Sequence, residues 1–389
     1  MDRRRVCVVT GSRAEYGLLF WLLTDLQADP AFDLQLVVTG MHLAPEFGNT
    51  VDEIEKDGFG ISKRVEMLQP DSTPASIAKS VGLGVIGISD ALLQLKPEVV
   101  VLLGDRFEIF AAAQAAMIHG IPVAHIAGGD TSEGSTDEAM RHAITKMAHL
   151  HFATNEESAG RIRQLGENPA RVFNVGSPGL DHLRRRPLLD RAALEQALDH
   201  KLGSRNLLVT FHPVTLHADS GLAELDELLA ALEQLDPSIR LWFTSPNADA
   251  GGRAMASRFS AWIDAHKDRA RTYASLGSLR YLSLMANVDA VVGNSSSGLY
   301  EAPSFGVPAV DIGDRQLGRL AATSVLHCAA ERRAIREAID RALALDCKGT
   351  VSPYGDGRAT GRIIEVLRSM PDREELLRKS FHMTDACRG

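Results

Sequence analysis

The sequence predicts an α/β fold made of two domains, each with a parallel sheet covered by helices on both faces. Short apolar runs that are typical of buried strands alternate with helix-length amphipathic segments along almost the whole chain. The chain has 389 residues, which is too long for a single ordinary hydrophobic core. The alternation breaks at residues 181–187, which include three consecutive arginines. We therefore expect domains at 1–180 and 181–360, helices in 361–389 that pack back on the first domain, and a ligand cleft between the domains.

Each expected strand is a short apolar run bounded by glycine, polar or turn residues. In the first domain we expect strands at 6–10, 34–39, 98–103, 121–124, 150–154 and 172–175, and helices at 18–27, 51–57, 73–95, 139–148 and 156–165. In the second domain we expect strands at 207–211, 240–244, 271–273, 290–293 and 309–312. Its helices are expected at 191–198, 222–235, 252–266, 279–286 and 331–344, followed by 362–368 and 373–380.

Composition and charge exclude several classes of protein. Hydrophobic residues make up 45% and charged residues 24% of the chain, as in ordinary globular proteins. The net charge of −8 argues against a protein that coats nucleic acid. No apolar run approaches the about 20 residues that span a bilayer. The four cysteines are scattered, without metal-ligand or disulfide spacing. We expect a cytoplasmic enzyme without structural zinc that binds neither nucleic acid nor membrane.

Ionisable residues gather after two neighbouring strands between residues 104 and 142. Asp105 and Arg106 follow one strand, and Asp130 follows the next. Asp137 and Arg141 lie in the helix after that. Each acid taken alone could be a helix cap, about as often as a functional group. Ligands in parallel sheets bind at the carboxyl ends of the strands, so the convergence of these ionisable residues there favours a ligand site.

The second domain has a candidate phosphate site of the same kind. The segment 293–298 reads Gly-Asn-Ser-Ser-Ser-Gly between a strand and a helix, and includes Ser295 and Ser296. Hydroxyls and amide groups at a helix start favour a diphosphate, although a flexible Ser/Gly turn is the alternative. Glu301 could hold sugar hydroxyls, and Arg315 would add charge-assisted contacts. His212 follows another strand and is either a phosphate ligand, an acid or a structural histidine.

These motifs together resemble one family. Residues 11–16 (GSRAEY), 39–43 (TGMHL), 104–108 (GDRFE) and 137–146 (DEAMRHAITK), with the later segments at 212–213, 293–298 and 306–319, are similar to the UDP-N-acetylglucosamine 2-epimerases, especially the hydrolysing branch. The resemblance implies two Rossmann-like domains in a glycosyltransferase-B type fold, a UDP-sugar substrate, no cofactor and a homo-oligomer, either a dimer or a tetramer.

The resemblance also implies roles for individual residues. Asp105 and Asp137 match acid/base carboxylates, and His212 matches a histidine at the diphosphate. The positions expected to contact the nucleotide or substrate are Arg13, His42, Arg106, Arg141, Asn247, Ser295, Ser296, Glu301 and Arg315.

One loop departs from the family pattern. Non-hydrolysing relatives carry a glutamate where this chain has Ala127, and hydrolysing relatives carry an acid after the glycine pair, here Asp130. We therefore predict that Asp130 supplies the missing carboxylate, with Glu133 as the competing candidate. The expected reaction eliminates UDP from UDP-N-acetylglucosamine and hydrates the resulting glycal to free N-acetylmannosamine. The alternatives are UDP-N,N'-diacetylbacillosamine as substrate, a non-hydrolysing epimerase, a glycosyltransferase of the same fold, or an inactive nucleotide-sugar binder.

Overall fold

The computed structural model describes residues 3–70, 73–131, 136–214, 219, 221–244, 252–273 and 276–383. The chain divides into two compact units. The first comprises Met1–His182 together with Tyr354–Gly389, and the second comprises Leu183–Pro353. Both are α/β units with a parallel sheet, as the sequence predicts.

The first unit contains a seven-stranded sheet within the described residues, in the order β3-β2-β1-β4-β5-β6-β7. Its strands are β1 (Arg4–Thr10), β2 (Phe32–Thr39), β3 (Ile61–Val65), β4 (Val99–Leu103), β5 (Val123–Ile126), β6 (Leu150–Ala153) and β7 (Val172–Asn174). Its helices are α1 (Arg13–Ala28), α2 (Val51–Lys56), α3 (Pro74–Leu95), α4 (Phe107–Ile118), α5 (Thr136–Met147) and α6 (Glu156–Gln164). The short α7 (His182–Arg185) follows them.

The second unit contains a six-stranded parallel sheet in its described part, in the order β10-β9-β8-β11-β12-β13. Its strands are β8 (Arg205–Thr210), β9 (Ile239–Thr244), β10 (Ala270–Tyr273), β11 (Ala290–Gly293), β12 (Ala309–Ile312) and β13 (Val325–Cys328). Its helices are α8 (Arg191–Leu198), α9 (Leu222–Glu233), α10 (Gly252–Ala265), α11 (Gly277–Met285), α12 (Ser297–Tyr300) and α13 (Arg332–Ala344).

Two edge strands are absent from the sequence prediction. β3 lies at one edge of the first sheet and β13 at one edge of the second. Their residues are mostly half-buried, whereas β4 is buried along its whole length. A strand covered on both faces gives a continuous apolar run, but a partly exposed edge strand does not. The sequence pattern therefore detects the central strands and misses these two.

The last helices, α14 (Ala359–Ser369) and α15 (Arg373–Leu377), belong to the first unit. Leu367 and Leu376 lie in the same hydrophobic core as Leu19 of α1. The buried carboxylate of Asp181 accepts hydrogen bonds from the backbone N–H groups of Ala359 (2.9 Å) and Thr360 (2.8 Å), at the start of α14. This carboxylate satisfies two of the amide groups that a helix leaves unpaired at its N-terminus.

The helix α3 has the bounds that the sequence predicts to within one residue, but it is more apolar than the sequence analysis indicates. Among the described residues, it alone has the length and composition of a helix that could cross a membrane. One side of α3 nevertheless packs in the first unit, with Ile88, Ala91 and Leu92 in a core shared with α4. Core helices of soluble proteins can have the same length and apolar composition.

The sheet order places a crevice in each unit. β1 lies between β2 and β4 in the first sheet, and β8 lies between β9 and β11 in the second. The connections leave in opposite directions at these two points, so the loops that follow the strands separate there. Ligands in open parallel sheets bind at such positions.

Candidate functional site

At the carboxyl end of the first sheet, a buried arginine gathers three acidic or carbonyl groups. Arg141, in α5, is only 6% exposed. Its guanidinium forms an ion pair with Asp105, which follows β4. It also donates to Glu138 Oε2 (2.8 Å) and to the main-chain oxygen of Asp130 (2.7 Å). Arg141 therefore fixes the position of the partly exposed Asp105 carboxylate beside the loop that follows β5.

That loop turns through two left-handed residues. Ala127 has φ 61° and Gly129 has φ 75°, which are backbone conformations that residues other than glycine adopt rarely. The turn directs the carboxylate of Asp130 to the end of β6, where Oδ1 accepts hydrogen bonds from Thr154 Oγ1 (2.7 Å) and Ser158 Oγ (2.6 Å). The competing candidate Glu133 lies outside the described residues. The role predicted for Asp130 in proton transfer stays a prediction.

A second charged group lies where β1 and β4 are adjacent. Arg106 donates from Nε and Nη2 to the two carboxylate oxygens of Glu108, both at 3.3 Å, and lies 3.9 Å from Glu15. Glu108 is fully buried against Gly11 and Gly40. A Cβ at Gly11 would lie 2.9 Å from Glu108 Cβ, and one at Gly40 would lie 2.8 Å from its Cγ. Larger residues at either glycine would displace this carboxylate.

Burial dominates the ionisation of these two glutamates. It raises the pKa of Glu15 to about 8, although the hydrogen bond from the Gly11 N–H (2.7 Å) lowers it. Burial also raises the pKa of Glu108, and the neighbouring Arg106 opposes that shift. The guanidinium of Arg106 thus lies beside two buried carboxyl groups. Of these, Glu15, with its pKa of about 8, keeps its proton at neutral pH.

The remaining candidates of the first unit differ in how accessible they are. Asp137, in the first turn of α5, lies within electrostatic range of Arg106 and Glu108. Arg13 starts α1 and forms an exposed ion pair with Glu53 at 3.1 Å. These positions leave both Asp137 and Arg13 near the carboxyl end of the sheet.

His42 lies buried in the turn that follows β2. It is fully buried, with Nε2 3.0 Å from Thr10 Oγ1 and Nδ1 2.7 Å from Thr50 Oγ1. Burial lowers the pKa of His42 to about 4, so the ring is neutral. In this conformation it supports the turn after β2, and its predicted contact with substrate stays a prediction.

His125, at the end of β5, also lies at this edge. It is fully buried on β5, with Nε2 2.8 Å from the main-chain oxygen of Gly104. Burial lowers its pKa to about 3. This neutral ring links the end of β5 to the residue before Asp105.

In the second unit, a pocket of about 330 Å³ opens at the carboxyl ends of β8 and β11. It is lined by Thr210, His212, Thr244, Tyr273, Leu276, Gly277, Ser278, Tyr281, Ser295 and Ser297. Most of these side chains carry hydroxyl groups, which hydrogen-bond to phosphate or sugar oxygens. The pocket therefore suits a polar ligand that is rich in oxygen atoms.

Asn294 fixes the main chain around this pocket. Its side-chain amide donates to the His212 carbonyl (2.8 Å) and accepts from the His212 N–H (2.7 Å). Its own carbonyl accepts from Arg315 Nη1 at 3.1 Å. Before it, Gly293 has φ 143°, and a Cβ there would lie 1.9 Å from the Thr210 oxygen, so only glycine fits. The structure thus brings His212 and Arg315 to the same loop.

The serines of that loop lie in a chain of hydroxyl groups. Ser295 Oγ is 3.0 Å from Ser297 Oγ, which is 2.5 Å from the hydroxyl of Tyr281. Ser296 stands at the start of α12 and Glu301 at its end. Burial raises the pKa of Glu301 to about 7, and its Oε2 has no hydrogen-bond partner among the described residues. The predicted contact residue Asn247 lies outside the described part of the chain.

Three site residues were missed by the sequence reading. Glu15 and Glu108 lie in the motifs at residues 11–16 and 104–108, but an acid in a first helical turn is explained equally well by the helix dipole. Tyr281 had no signal, because its spacing in α11 matches that of core residues. Within the described residues, no group of three histidine, cysteine or acidic side chains is arranged to hold a metal ion.

Comparisons with known proteins agree with this architecture. A family described as UDP-N-acetylglucosamine 2-epimerase matches residues 24–368. A relative from Campylobacter jejuni, named GDP/UDP-N,N'-diacetylbacillosamine 2-epimerase (hydrolyzing), is 40% identical over 84% of this chain and 84% of its own. A relative from Legionella pneumophila, named UDP-N,N'-diacetylbacillosamine 2-epimerase (hydrolyzing), is 35% identical over 97% of this chain and 98% of its own.

A solved structure shares the fold. The crystal structure of UDP-GlcNAc 2-epimerase from Neisseria meningitidis bound to UDP-GlcNAc has a TM-score of 0.74 and 20% identity, over 93% of this chain and 99% of that one. This agreement confirms the predicted glycosyltransferase-B type architecture at the level of the fold.

Proposed function

The chain belongs to the UDP-N-acetylglucosamine 2-epimerase family, and from this premise we propose that it is a hydrolysing member. It removes UDP from a UDP-2-acetamido sugar and releases the free sugar with inverted configuration at C2. The observation that carries the proposal is the group formed by Asp105, Arg141 and Glu138 at the carboxyl end of the first sheet. It supplies positioned carboxylates beside a charged anchor, as proton transfer requires.

The first step of the proposed reaction is an elimination. The C2 hydrogen of the sugar is not acidic in the ground state, because no carbonyl group is adjacent to it. As the C1–O bond to UDP breaks, positive charge develops on the sugar and that hydrogen becomes removable. A carboxylate takes the proton, the C–H electron pair forms the C1–C2 double bond, and UDP leaves with the electrons of the C1–O bond.

The second step is a hydration. Water adds its hydroxyl group to C1 of the glycal and gives its remaining proton to a carboxylate, while a carboxylic acid returns a proton to C2 from the opposite face. Inversion therefore needs acid/base groups on two faces of the sugar, and we assign them to Asp105 and Asp137, with Asp130 as the third candidate. No net oxidation occurs, so the reaction needs no redox cofactor.

Binding of the leaving diphosphate is assigned mainly to the second unit. His212, Ser295, Ser296 and Arg315 lie on or beside one pocket that is rich in hydroxyl groups. Hydrogen-bond donors that face the leaving group stabilise the transition state, in which negative charge develops on that group, more than they stabilise the ground state. The contacts of Arg13 and Arg106 with the nucleotide that the resemblance implies belong to the same proposal.

Two sugars are candidates for the substrate. The names of the Campylobacter and Legionella relatives favour N,N'-diacetylbacillosamine. The family description favours N-acetylglucosamine. Of the two we propose the UDP-linked diacetylbacillosamine, because both relatives are at least 35% identical over most of the chain. The cytoplasmic location and homo-oligomeric state expected from the sequence belong to the same proposal.

The proposal is tested by incubating the full chain with each UDP-sugar in D₂O. We expect equal amounts of UDP and free sugar, with one deuterium at C2 and inverted configuration, for the preferred substrate. The variant Asp105→Asn should lower turnover about 10²–10⁴-fold, the usual contribution of a positioned acid or base. Its affinity for UDP should stay within a few-fold, and the exposed Asp264→Asn serves as the matched control.

Other outcomes would point to other functions. Turnover that requires an added acceptor would indicate a glycosyltransferase. UDP-sugar binding without turnover would indicate a nucleotide-sugar binder. A near-normal rate in Asp105→Asn would remove that carboxylate from the catalytic set.

A further inference from the structure

The C-terminal segment of the first unit contacts the far ends of two helices that begin at the candidate site. The helix α4 starts two residues after Asp105, and α5 carries Asp137 and Arg141 in its first half. The opposite ends of both helices lie against residues 373–382, which we call the C-terminal clamp. Each helix has 12 residues. At about 1.5 Å per residue, each therefore places about 18 Å between the clamp and the site.

Lys379 of the clamp closes the far end of α5. Its ammonium group donates hydrogen bonds to the main-chain oxygens of Lys146 (2.7 Å) and Ala148 (2.6 Å), and it lies 2.7 Å from Glu167 Oε2. The last carbonyl groups of a helix have no partner within the helix, and a cation there also complements the helix dipole. Lys379 therefore holds α5 by its last turn.

The buried carboxylate of Glu167 joins this contact to the sheet. Its Oε1 accepts a hydrogen bond from Lys146 of α5 at 2.5 Å, and its Oε2 lies 3.1 Å from Nε2 of His151 in β6. Burial acts to raise the pKa of Glu167, but the hydrogen bonds from His151, Lys146 and Lys379 lower it to about 2. The charged carboxylate thus links α5, β6 and the clamp at one point.

The chain after Lys379 continues along the loop that contains Glu167. The His382 N–H donates to the main-chain oxygen of Gly166 at 2.8 Å. The ammonium of Lys146 lies 5.1 Å from the centre of the Phe381 ring, within the range of a cation–π contact. A Cβ at Gly166 would lie 2.4 Å from the same ring, so the ring lies directly on that glycine. These contacts keep Lys379 beside the end of α5.

Arg373 makes a corresponding but weaker contact with α4. It donates from Nε to the Gly120 oxygen (2.8 Å) and from Nη2 to the His119 oxygen (3.0 Å), just past the last residue of α4. Arg373 is exposed. In addition, α4 is fixed by its own packing, since one side of it is buried in a hydrophobic core. The position of α4 therefore depends little on the clamp.

The helix α5 has much less apolar packing to hold it. Among its described side chains, only Ile144 lies in a hydrophobic core, and Met147 packs against that core. Its other anchors are polar, with the ion pair between Arg141 and Asp105 towards the site and Lys379 at the far end. The polar contacts at the two ends thus determine how α5 lies on the sheet.

We propose that Lys379 is a positioning residue for the reaction, which holds α5 so that Asp137 and Arg141 keep the geometry that proton transfer needs. This inference rests on the proposed function. A helix that turns about its centre moves both ends equally, so a shift of about 1 Å at Lys146 becomes about 1 Å at Asp137. A misplacement of that size can lower a rate about 10²-fold. Nucleotide binding, which is assigned mainly to the second unit, should not change.

The variant Lys379→Met tests this role, because methionine keeps much of the side chain and removes the ammonium group. We expect kcat on the preferred UDP-sugar to fall about 10–10²-fold, while KM and the affinity for UDP stay within about twofold. Lys379→Arg should restore most of kcat, since a guanidinium group can donate to the same carbonyls. Arg373→Met should lower kcat by less than about threefold, because α4 is fixed by its packing.

The matched control is Arg4→Met. The side chain of Arg4 is 26% exposed, against 22% for Lys379. Arg4 also donates to main-chain oxygens at a helix end, those of Leu367 and Arg368 in α14, which carries no candidate site residue. Both variants are assayed where urea unfolding shows them to be folded, and we expect normal kcat in Arg4→Met. Equal losses of kcat in the two variants overturn the proposal, as does a raised KM with unchanged kcat in Lys379→Met.

Hydrogen exchange separates this proposal from the proposed function. In Lys379→Met, the α5 amides near Arg141 should exchange about tenfold faster than in the wild type, relative to the buried amides of β1. Arg4→Met should show no such difference. If the wild type turns over neither sugar, the proposed function fails, and the clamp is judged by exchange alone. Faster exchange in α5 then supports the clamp, and unchanged exchange overturns it whether or not the wild type is active.

Discussion

Replacing Glu15 by glutamine should make the first unit more stable at alkaline pH. Glu15 is 5% exposed, its Oε2 accepts the Gly11 N–H at 2.7 Å, and its Oε1 has no hydrogen-bond partner in the described part of the chain. Burial raises its pKa from 4.5 to about 8. Glutamine keeps an oxygen for Gly11 and has no charge to desolvate.

The sign and size of this pH effect on stability follow from the difference between the pKa values of Glu15 in the folded and unfolded states. Below pH 4.5 the carboxyl group is protonated in both the folded and unfolded states, so the favourable contribution of the neutral group is fully present. As the pH rises towards 8, the unfolded state loses its proton while the folded state keeps it, and stability falls. Between pH 5 and 8 this difference amounts to about 3–4 kcal/mol in the free energy of unfolding. The glutamine variant lacks this loss.

Hydrogen exchange of the buried β1 amides, corrected for the intrinsic rate at each pH, reports the free energy of opening of the first unit. We expect the variant and wild-type values to diverge by about 3–4 kcal/mol from pH 5 to pH 8. Glu53→Gln, an exposed glutamate paired with Arg13, should change the profile little. Parallel profiles for wild type and Glu15→Gln would refute the reasoning.

Three further changes test other parts of the two units. Replacing Ser295 and Ser296 together by alanine should weaken UDP itself, since each hydrogen bond to a charged group is worth about 1.5–3 kcal/mol; calorimetry that shows unchanged UDP affinity contradicts the assignment. Lys379→Met should destabilise the first unit by about 1–3 kcal/mol, because the buried Glu167 loses an ion-pair partner at 2.7 Å; Lys379→Arg should recover part of the loss in urea unfolding. Asp130→Asn should stop release of free sugar, and normal deuterium incorporation at C2 would show that its carboxylate does not transfer the proton.

The sequence predicts the position of a candidate residue well where that residue follows a buried strand. Asp105 follows β4, and His212 follows β8, each after a single intervening residue, so their positions at the sheet edge follow from strand assignment alone. Glu15 and Glu108 lie in helices instead, and they approach each other because β1 and β4 are neighbours in the sheet. Those strands are separated by β2 and β3 in the chain. Adjacency of that kind is set by sheet order, which apolar periodicity does not encode.

The loop after β5 shows why a correctly located residue can still have an unexpected environment. The glycine pair indicated that Asp130 could turn inward, yet its carboxylate is held by the hydroxyls of Thr154 and Ser158. Its main-chain oxygen, by contrast, binds Arg141, the anchor of Asp105. Substitution by asparagine leaves that main-chain contact in place. A loss of activity in Asp130→Asn would therefore report on the carboxylate itself, whereas a change of backbone at the loop would act on Asp105 through the arginine.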